Sequence, residues 1–514
     1  MYTFRSKPWP VGAAALVFLA ACASSTSGSA APTTAAPPTT AAPPATAAPP
    51  SSAAAATIAT TTTAAATTAP PAAAPAAVFT TAPCPDGRPP ELQCGTVQVP
   101  VDRSAPGGAL MNLAVTIRPA TTAADEPPVL TLTSAGAGMG YSTSADSAPT
   151  WADGRELIWV DRRGAGRSDG TVECPLKPFT ATLQSGGAGP EEAAAVGACL
   201  TQAAAAPLAF GSLLDLDNVA ADLARVRAAL GIDQWVVSTV RSGFDVGVRL
   251  LGIDHPGVAS MVVADPMFAG GGQNSDSLAA SWKAFVSDCA ATPDCSQFGD
   301  LATDLTKVLA RVKDGAPTEI VDPLSGTPYV IDDYRVMGAV LFALQGPFLA
   351  LLPKVVTKLL DPADDHNFAS IASGLVDPNY TVGAAITFGL GCQDVGLMMA
   401  GTGGTDTEFA GDGTGAVCAA VKDLPEVVTP LKAPSSDVPV LIGRGAYSST
   451  SQLDRLTALV EPLAKAQIVP VAHLGAVGAS GDCWPSIVTS FLGSPGAPVD
   501  AACAAAVPLP EFTK

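Results

Sequence analysis

The stretch DNVAADLARVRAALGIDQWVVS, Asp217 to Ser238, changes its period partway along. Val219, Leu223, Val226 and Leu230 recur at steps of four, three and four, which places them on one face of a helix. Gly231 can turn the chain out of that helix, and Trp235-Val236-Val237-Ser238 follows as a short β-rich run. A helix handed on to such a run is the repeating unit of α/β architecture.

Further runs of the same kind lie on either side. They are Thr96 to Val99, Met111 to Ile117, Val129 to Thr133, Leu157 to Asp161, Ser260 to Ala264, Val438 to Ile442 and Ala466 to Val469. From Pro266 to Ser436 the strand rhythm breaks, and apolar patches such as Val336 to Leu344 and Leu349 to Leu360 read as helices. Gln345-Gly346-Pro347 interrupts this apolar region before it reaches the length of a membrane span. The interval reads as a lid inserted between the sixth and seventh strands.

Across 514 residues, 27 Lys and Arg stand against 46 Asp and Glu, a net charge of −19. Such a balance lacks the cationic footprint that phosphate backbones require, so no nucleic-acid partner is expected. The 48% hydrophobic content suits a large buried core.

The N-terminus reads as an export signal. Arg5 and Lys7 precede an apolar run from Val11 to Ala20, too short to span a bilayer. Leu19-Ala20-Ala21-Cys22 resembles a bacterial lipobox, which implies lipidation of Cys22 and membrane attachment through acyl chains alone. From Ala23 to Ala82 the chain is almost only Ala, Thr, Pro and Ser, a spacer with no apolar face to bury. The expected division is therefore signal and lipobox over 1–22, spacer over 23–82, core over 83–265 and 437–514, and helical lid over 266–436. The location implied is the bacterial cell envelope, outside the cytoplasm. Setting Cys22 aside, an even ten of the eleven cysteines remain, which suits disulfides formed after export.

Several segments together resemble the tripeptidyl-aminopeptidase-like branch of the α/β-hydrolases, relatives of the proline iminopeptidases. Cys94-Gly95-Thr96-Val97-Gln98-Val99-Pro100-Val101-Asp102 is similar to the opening Cys-Gly-x-x-x-Val-Pro-x-Asp of that family. Asp161-Arg162-Arg163-Gly164-Ala165-Gly166-Arg167-Ser168 resembles its Asp-x-Arg-Gly-x-Gly-x-Ser, and Asn218 to Gly231 its Asp-Leu-x-x-x-Arg-x-x-Leu-Gly helix. The resemblance implies a mostly parallel eight-stranded sheet flanked by helices, with a helical lid. It also implies the pairings Cys84–Cys94, Cys174–Cys199, Cys289–Cys295, Cys392–Cys418 and Cys483–Cys503. Ser134 to Gly140 stands where the family keeps its glycine-rich oxyanion loop, which would make Gly136, Ala137, Gly138 and Gly243 the oxyanion donors.

Acyl transfer on this fold needs a nucleophile on a sharp strand-to-helix turn with small residues two positions away on either side, a histidine base and an acid. The segment Val236 to Asp245 contains no Gly-x-Ser-x-Gly. With Ser242 at the apex, Val240 and Phe244 take the positions that should be small; with Arg241 at the apex, Thr239 and Gly243 take them. The second register replaces the nucleophile by a permanent cation, which cannot attack an acyl carbon. His473, after the last candidate strand, stands where the family carries its base. Ser448, in Gly445-Ala446-Tyr447-Ser448, takes the place of the acid, and Asp265 at the end of the sixth strand is the candidate substitute.

These departures point to a degenerate triad and leave two functions open. One is a serine exopeptidase or esterase acting on small peptides or esters through Ser242 and His473. The other is a non-catalytic binding protein whose lidded pocket uses Arg241 to hold an anion. No cofactor is expected, and no His, Cys or carboxylate cluster has zinc spacing. The sequence leaves the oligomeric state open.

Overall fold

The computed structural model describes residues 76–85, 88–122, 126–132, 149–171, 198–203, 205, 210–271, 275–314, 318–321, 328–331, 336–337, 340, 343–344, 349–360, 390, 392 and 427–512. The signal segment, Cys22 and most of the spacer, the loop holding Gly136, Ala137 and Gly138, and Cys174 and Cys418 lie outside them.

All eight runs read as strands are strands. In chain order they are β2 (Gln93–Pro100), β3 (Leu110–Arg118), β4 (Val129–Leu132), β5 (Leu157–Val160), β6 (Trp235–Val240), β7 (Val258–Ala264), β10 (Val440–Gly445) and β11 (Ala466–Val471). A ninth strand, β1 (Phe79–Ala82), lies within the stretch assigned above to the spacer, which is a correction to that boundary. Its composition matches the spacer, but Phe79 to Ala82 pair antiparallel with Val97 to Cys94. Gly95 makes room for it, since a Cβ there would lie 2.4 Å from the carbonyl oxygen of Thr80.

Among the described residues the sheet order is β1-β2-β3-β5-β4-β6-β7-β10-β11. The first three pairings are antiparallel, and from β5 through β11 every neighbour is parallel. The inverted order of β5 and β4 sends the chain across the sheet once, and the remaining strands then follow in sequence. This mostly parallel sheet flanked by helices is the α/β architecture expected, with one strand more than eight.

Period-two alternation sorts the side chains between two cores. Leu130, Ile158, Val237, Met261 and Ile442 face the helices α1 (Leu216–Ala229) and α2 (Gly243–Ile253), meeting Val219, Leu223, Val226, Val248 and Leu251. Their neighbours Val129, Leu157, Trp159, Val236, Val262 and Leu441 pack on the other face with Trp484, Ile487 and Phe491. Each such side chain contributes about 1.5–3 kcal/mol on burial. The start of α1 is fixed by Asp215, whose carboxylate accepts from Asp217 N at 2.9 Å, and Gly231 leaves it with φ 68°.

The interval after β7 is largely helical in its described residues but not wholly so. It contains α3 (Ser275–Ala291), α4 (Leu301–Asp314) and α5 (Leu352–Lys358), with a two-stranded antiparallel sheet, β8 (Thr318–Val321) and β9 (Pro328–Ile331), between α4 and α5. After β10 come α6 (Leu453–Val460), α7 (Cys483–Gly493) and α8 (Ala502–Ala505). Disulfides join Cys84 to Cys94, Cys289 to Cys295 and Cys483 to Cys503. Cys199 and Cys392 are also disulfide-bonded. Bridges of this number belong to a chain folded in an oxidising environment. No helix among the described residues is long and apolar enough to cross a membrane.

Candidate functional site

Strand β6 ends in a turn whose apex is Arg241, with φ 51°. A residue with a Cβ pays about 1–2 kcal/mol for this left-handed conformation, so the surroundings must impose it. They do so through the backbone. Arg241 N donates to Ala264 O at 3.0 Å, while Arg241 O accepts from Phe244 N at 3.0 Å and from Met267 N at 3.1 Å. Gly243 completes the turn, because a Cβ there would lie 2.2 Å from the carbonyl oxygen of Leu132.

The register left open by the sequence is thereby decided. Thr239 and Gly243 hold the two positions that must be small, and Arg241 occupies the apex. Ser242, the candidate nucleophile, has φ −68° and ψ −8°, stands immediately before α2 and is buried. Its backbone is helical, so it does not stand on the strained turn that presents a nucleophile.

Two further non-glycine residues with positive φ lie near the same end of the sheet. They are Asp265 (50°), which follows β7, and His473 (57°), which follows β11. Asp265 accepts from Gly445 N at 3.2 Å through Oδ1 and from Val477 N at 2.9 Å through Oδ2. Burial pushes its carboxyl up to about 6, against the opposing pull of those two amides and of Arg241 and Arg444. The carboxylate ties the ends of β7 and β10 to the segment after His473. Its two recorded acceptor contacts are to backbone, and neither is to the imidazole.

His473 is directed elsewhere. Its Nδ1 donates to Val507 O at 2.6 Å, and its Nε2 lies 4.0 Å from Oδ2 of Asp288 on α3. Tyr447 OH donates to that same carboxylate oxygen at 2.7 Å, and burial followed by the bond to Asp288 raises the phenol above its ordinary range. Ser448 does not orient the ring either, since its buried hydroxyl pairs with that of Thr450 at 2.8 Å. Arg444 shapes this loop, donating to Ser448 O at 2.7 Å and Ser451 O at 3.1 Å.

The structure thus brings Arg241 and Asp265 together at the ends of adjacent strands. Among the described residues no hydrogen bond joins Ser242 to His473 or His473 to Asp265. Sequence reasoning missed Arg444, Asp288, Tyr447 and Val507. Only Arg444 carried a local signal, a lone cation at the end of an apolar strand.

The motif from Asp161 to Ser168 has a structural task. Arg163 is fully buried and donates to both oxygens of Asp222 on α1, at 2.7 and 2.8 Å, and to Pro100 O at 3.1 Å. Asp161 accepts from Arg167 N at 2.9 Å, folding the glycine turn back on itself. Among the described residues no group of three or more His, Cys, Asp or Glu is arranged to hold a metal ion.

No protein-family model and no curated protein matches this chain. Solved structures similar to it include a proline iminopeptidase from Mycobacterium smegmatis, at 14% identity and TM-score 0.36, covering 78% of this chain and 98% of that one. An esterase from Rhodococcus sp. ECU1013 is 17% identical with TM-score 0.33, covering 74% of this chain and 95% of its own. A thermophilic esterase from Thermogutta terrifontis is 14% identical with TM-score 0.33, covering 77% and 96% respectively.

Proposed function

We propose that this is a hydrolase-fold protein of the cell envelope, tethered through lipidated Cys22, that binds a small carboxylate ligand and does not carry out serine-hydrolase chemistry. The observation that carries the proposal is Arg241 at the apex of the elbow, with φ 51°. A strained backbone position is kept where the residue on it has a use, and a guanidinium offers fixed positive charge and a planar fork of donors that match a carboxylate. The start of α2 directly behind it adds the partial positive charge of a helix N-terminus. His473 Nδ1 meets the Val507 carbonyl where a triad has its carboxylate, its Nε2 lies 4.0 Å from Asp288 Oδ2, and Asp265 is held by two backbone amides, which argues against a working triad.

The test uses the full chain with its disulfides formed. Intact-mass labelling with a fluorophosphonate is expected to give no adduct. Calorimetry with N-acetyl-alanyl-alanine is expected to show binding that its methyl ester lacks and that Arg241→Gln abolishes. A single adduct that disappears in Ser242→Ala would replace this reading by that of a serine hydrolase on peptides or esters.

A further inference from the structure

The helical segment between β7 and β10 has its own hydrophobic core, distinct from the two that sandwich the sheet. It gathers Leu278, Trp282 and Phe285 of α3, Leu305 and Val308 of α4, and Leu352 and Val356 of α5. Two side chains from elsewhere in the chain enter it. Tyr447 comes from the loop after β10, its ring 5.7 Å from that of Phe285, and Phe512 comes from near the C-terminus, 6.2 Å from the same ring.

The path of the C-terminal segment is anchored where it begins. The Cys483–Cys503 bridge ties α8 to α7, and Ala472 N donates to Ala504 O at 2.9 Å. Val507 then packs against the sheet core while its carbonyl takes the Nδ1 proton of His473 at 2.6 Å. Leu509 packs against the helical core, and Phe512 is buried in it. Within Val507-Pro508-Leu509-Pro510-Glu511-Phe512 the chain therefore passes from one core to the other.

Very little backbone holds it there. Pro508 and Pro510 have no N–H to offer a sheet edge, and among the described residues the Val507 bond to His473 is the only hydrogen bond made by residues 507–512. Segments held by a few side chains and one backbone bond open at far lower cost than strands of a sheet. Asp288, three residues beyond Phe285 on α3, joins α3 to the sheet body independently of this segment, accepting from Tyr447 OH and facing His473 Nε2.

We propose that Val507–Phe512 is a releasable strap. Docked, it fastens α3 to the sheet body and ties the His473 ring to Val507; undocked, it loosens α3 and frees that ring. A tail that merely completed a core would pack on one layer, whereas this one divides its contacts between two. The proposal does not depend on what Arg241 binds.

Hydrogen exchange and diethylpyrocarbonate modification of the full chain, of a chain ending at Ala506 and of Phe512→Ala test it. In both variants the amides of α3 are expected to exchange about tenfold faster and His473 to be modified several-fold faster, with β6 and β7 unchanged. If the shortened chain does not fold, Phe512→Ala carries the test, since it leaves Cys503 and Val507 in place. Unaltered protection of α3 and His473 would overturn the strap, and so would loosening of β6 and β7 in step with α3.

Discussion

Gly243 and Leu132 meet backbone to backbone, so that a Cβ on the glycine would lie 2.2 Å from the leucine carbonyl oxygen. This contact lets the first turn of α2 sit against the end of β4, and it sets which residue becomes the apex of the elbow. Gly243→Ala is expected to cost about 3 kcal/mol, because the neighbour that must move is main chain. Gly231→Ala, where a Cβ would meet nothing within 4 Å, is expected to cost only the left-handed backbone penalty of about 1 kcal/mol. Urea unfolding of the two variants measures the difference, and equal losses would show that the elbow relaxes around the added methyl group.

Arg163 and Asp222 form a buried ion pair linking the turn after β5 to α1. Asp222 also pairs with Arg103, so Asp222→Asn, which leaves Arg163 buried without a carboxylate, is expected to destabilise the protein by about 3–5 kcal/mol, and Arg163→Met, after which Asp222 keeps Arg103, by less. The double variant is expected to lose less than the two single losses combined. Additive losses in the double-mutant cycle would mean that the two groups act independently.

The carboxyl of Asp265, raised from 3.8 to about 6 chiefly by burial, makes stability depend on pH. Between those values the native state holds a proton that the unfolded chain has released. The stability supplied by this group is therefore highest below about pH 4, declines as pH rises towards about 6 and is level above it, a change of about 3 kcal/mol. Asp265→Asn removes the titration. Measured from pH 4 to 7, the wild type is expected to lose stability relative to the variant, and a constant difference would show that the carboxyl titrates normally.

Arg241→Ser places a hydroxyl at the apex but gives His473 no carboxylate partner. His473 remains bonded to Val507 O, and Asp265 remains engaged by Gly445 N and Val477 N. The variant is expected to fold and to stay unlabelled by fluorophosphonate. Stoichiometric labelling of the new serine would show that the imidazole reaches the apex after all.

The eight strands and α1 were legible because their signals are local. A period of two or of 3.6 residues is written into neighbouring positions, and burial on one face of a sheet or helix follows from it. Strand β1 was not legible, since Phe79 to Ala82 share their composition with the stretch before them. Only the partner strand and the gap left by Gly95 make a strand of them.

The site divides along the same line. That the stretch from Thr239 to Gly243 forms a turn between a strand and a helix follows from its residues, and so does the impossibility of nucleophilic attack by an arginine. The choice of Arg241 over Ser242 as apex required the Leu132 and Ala264 carbonyls, which reach the turn from other strands. Tyr447 meets Asp288 across 159 residues of chain, and Asp265 meets Val477 across 212. Residue order carries periodicity and chemical capability, whereas the partner of each polar group is chosen by packing. The amino-acid sequence therefore specified the layers of this protein and the cationic residue available to its elbow. Tertiary structure alone decided where the imidazole of His473 points, because its partners come from α3 and the C-terminal segment.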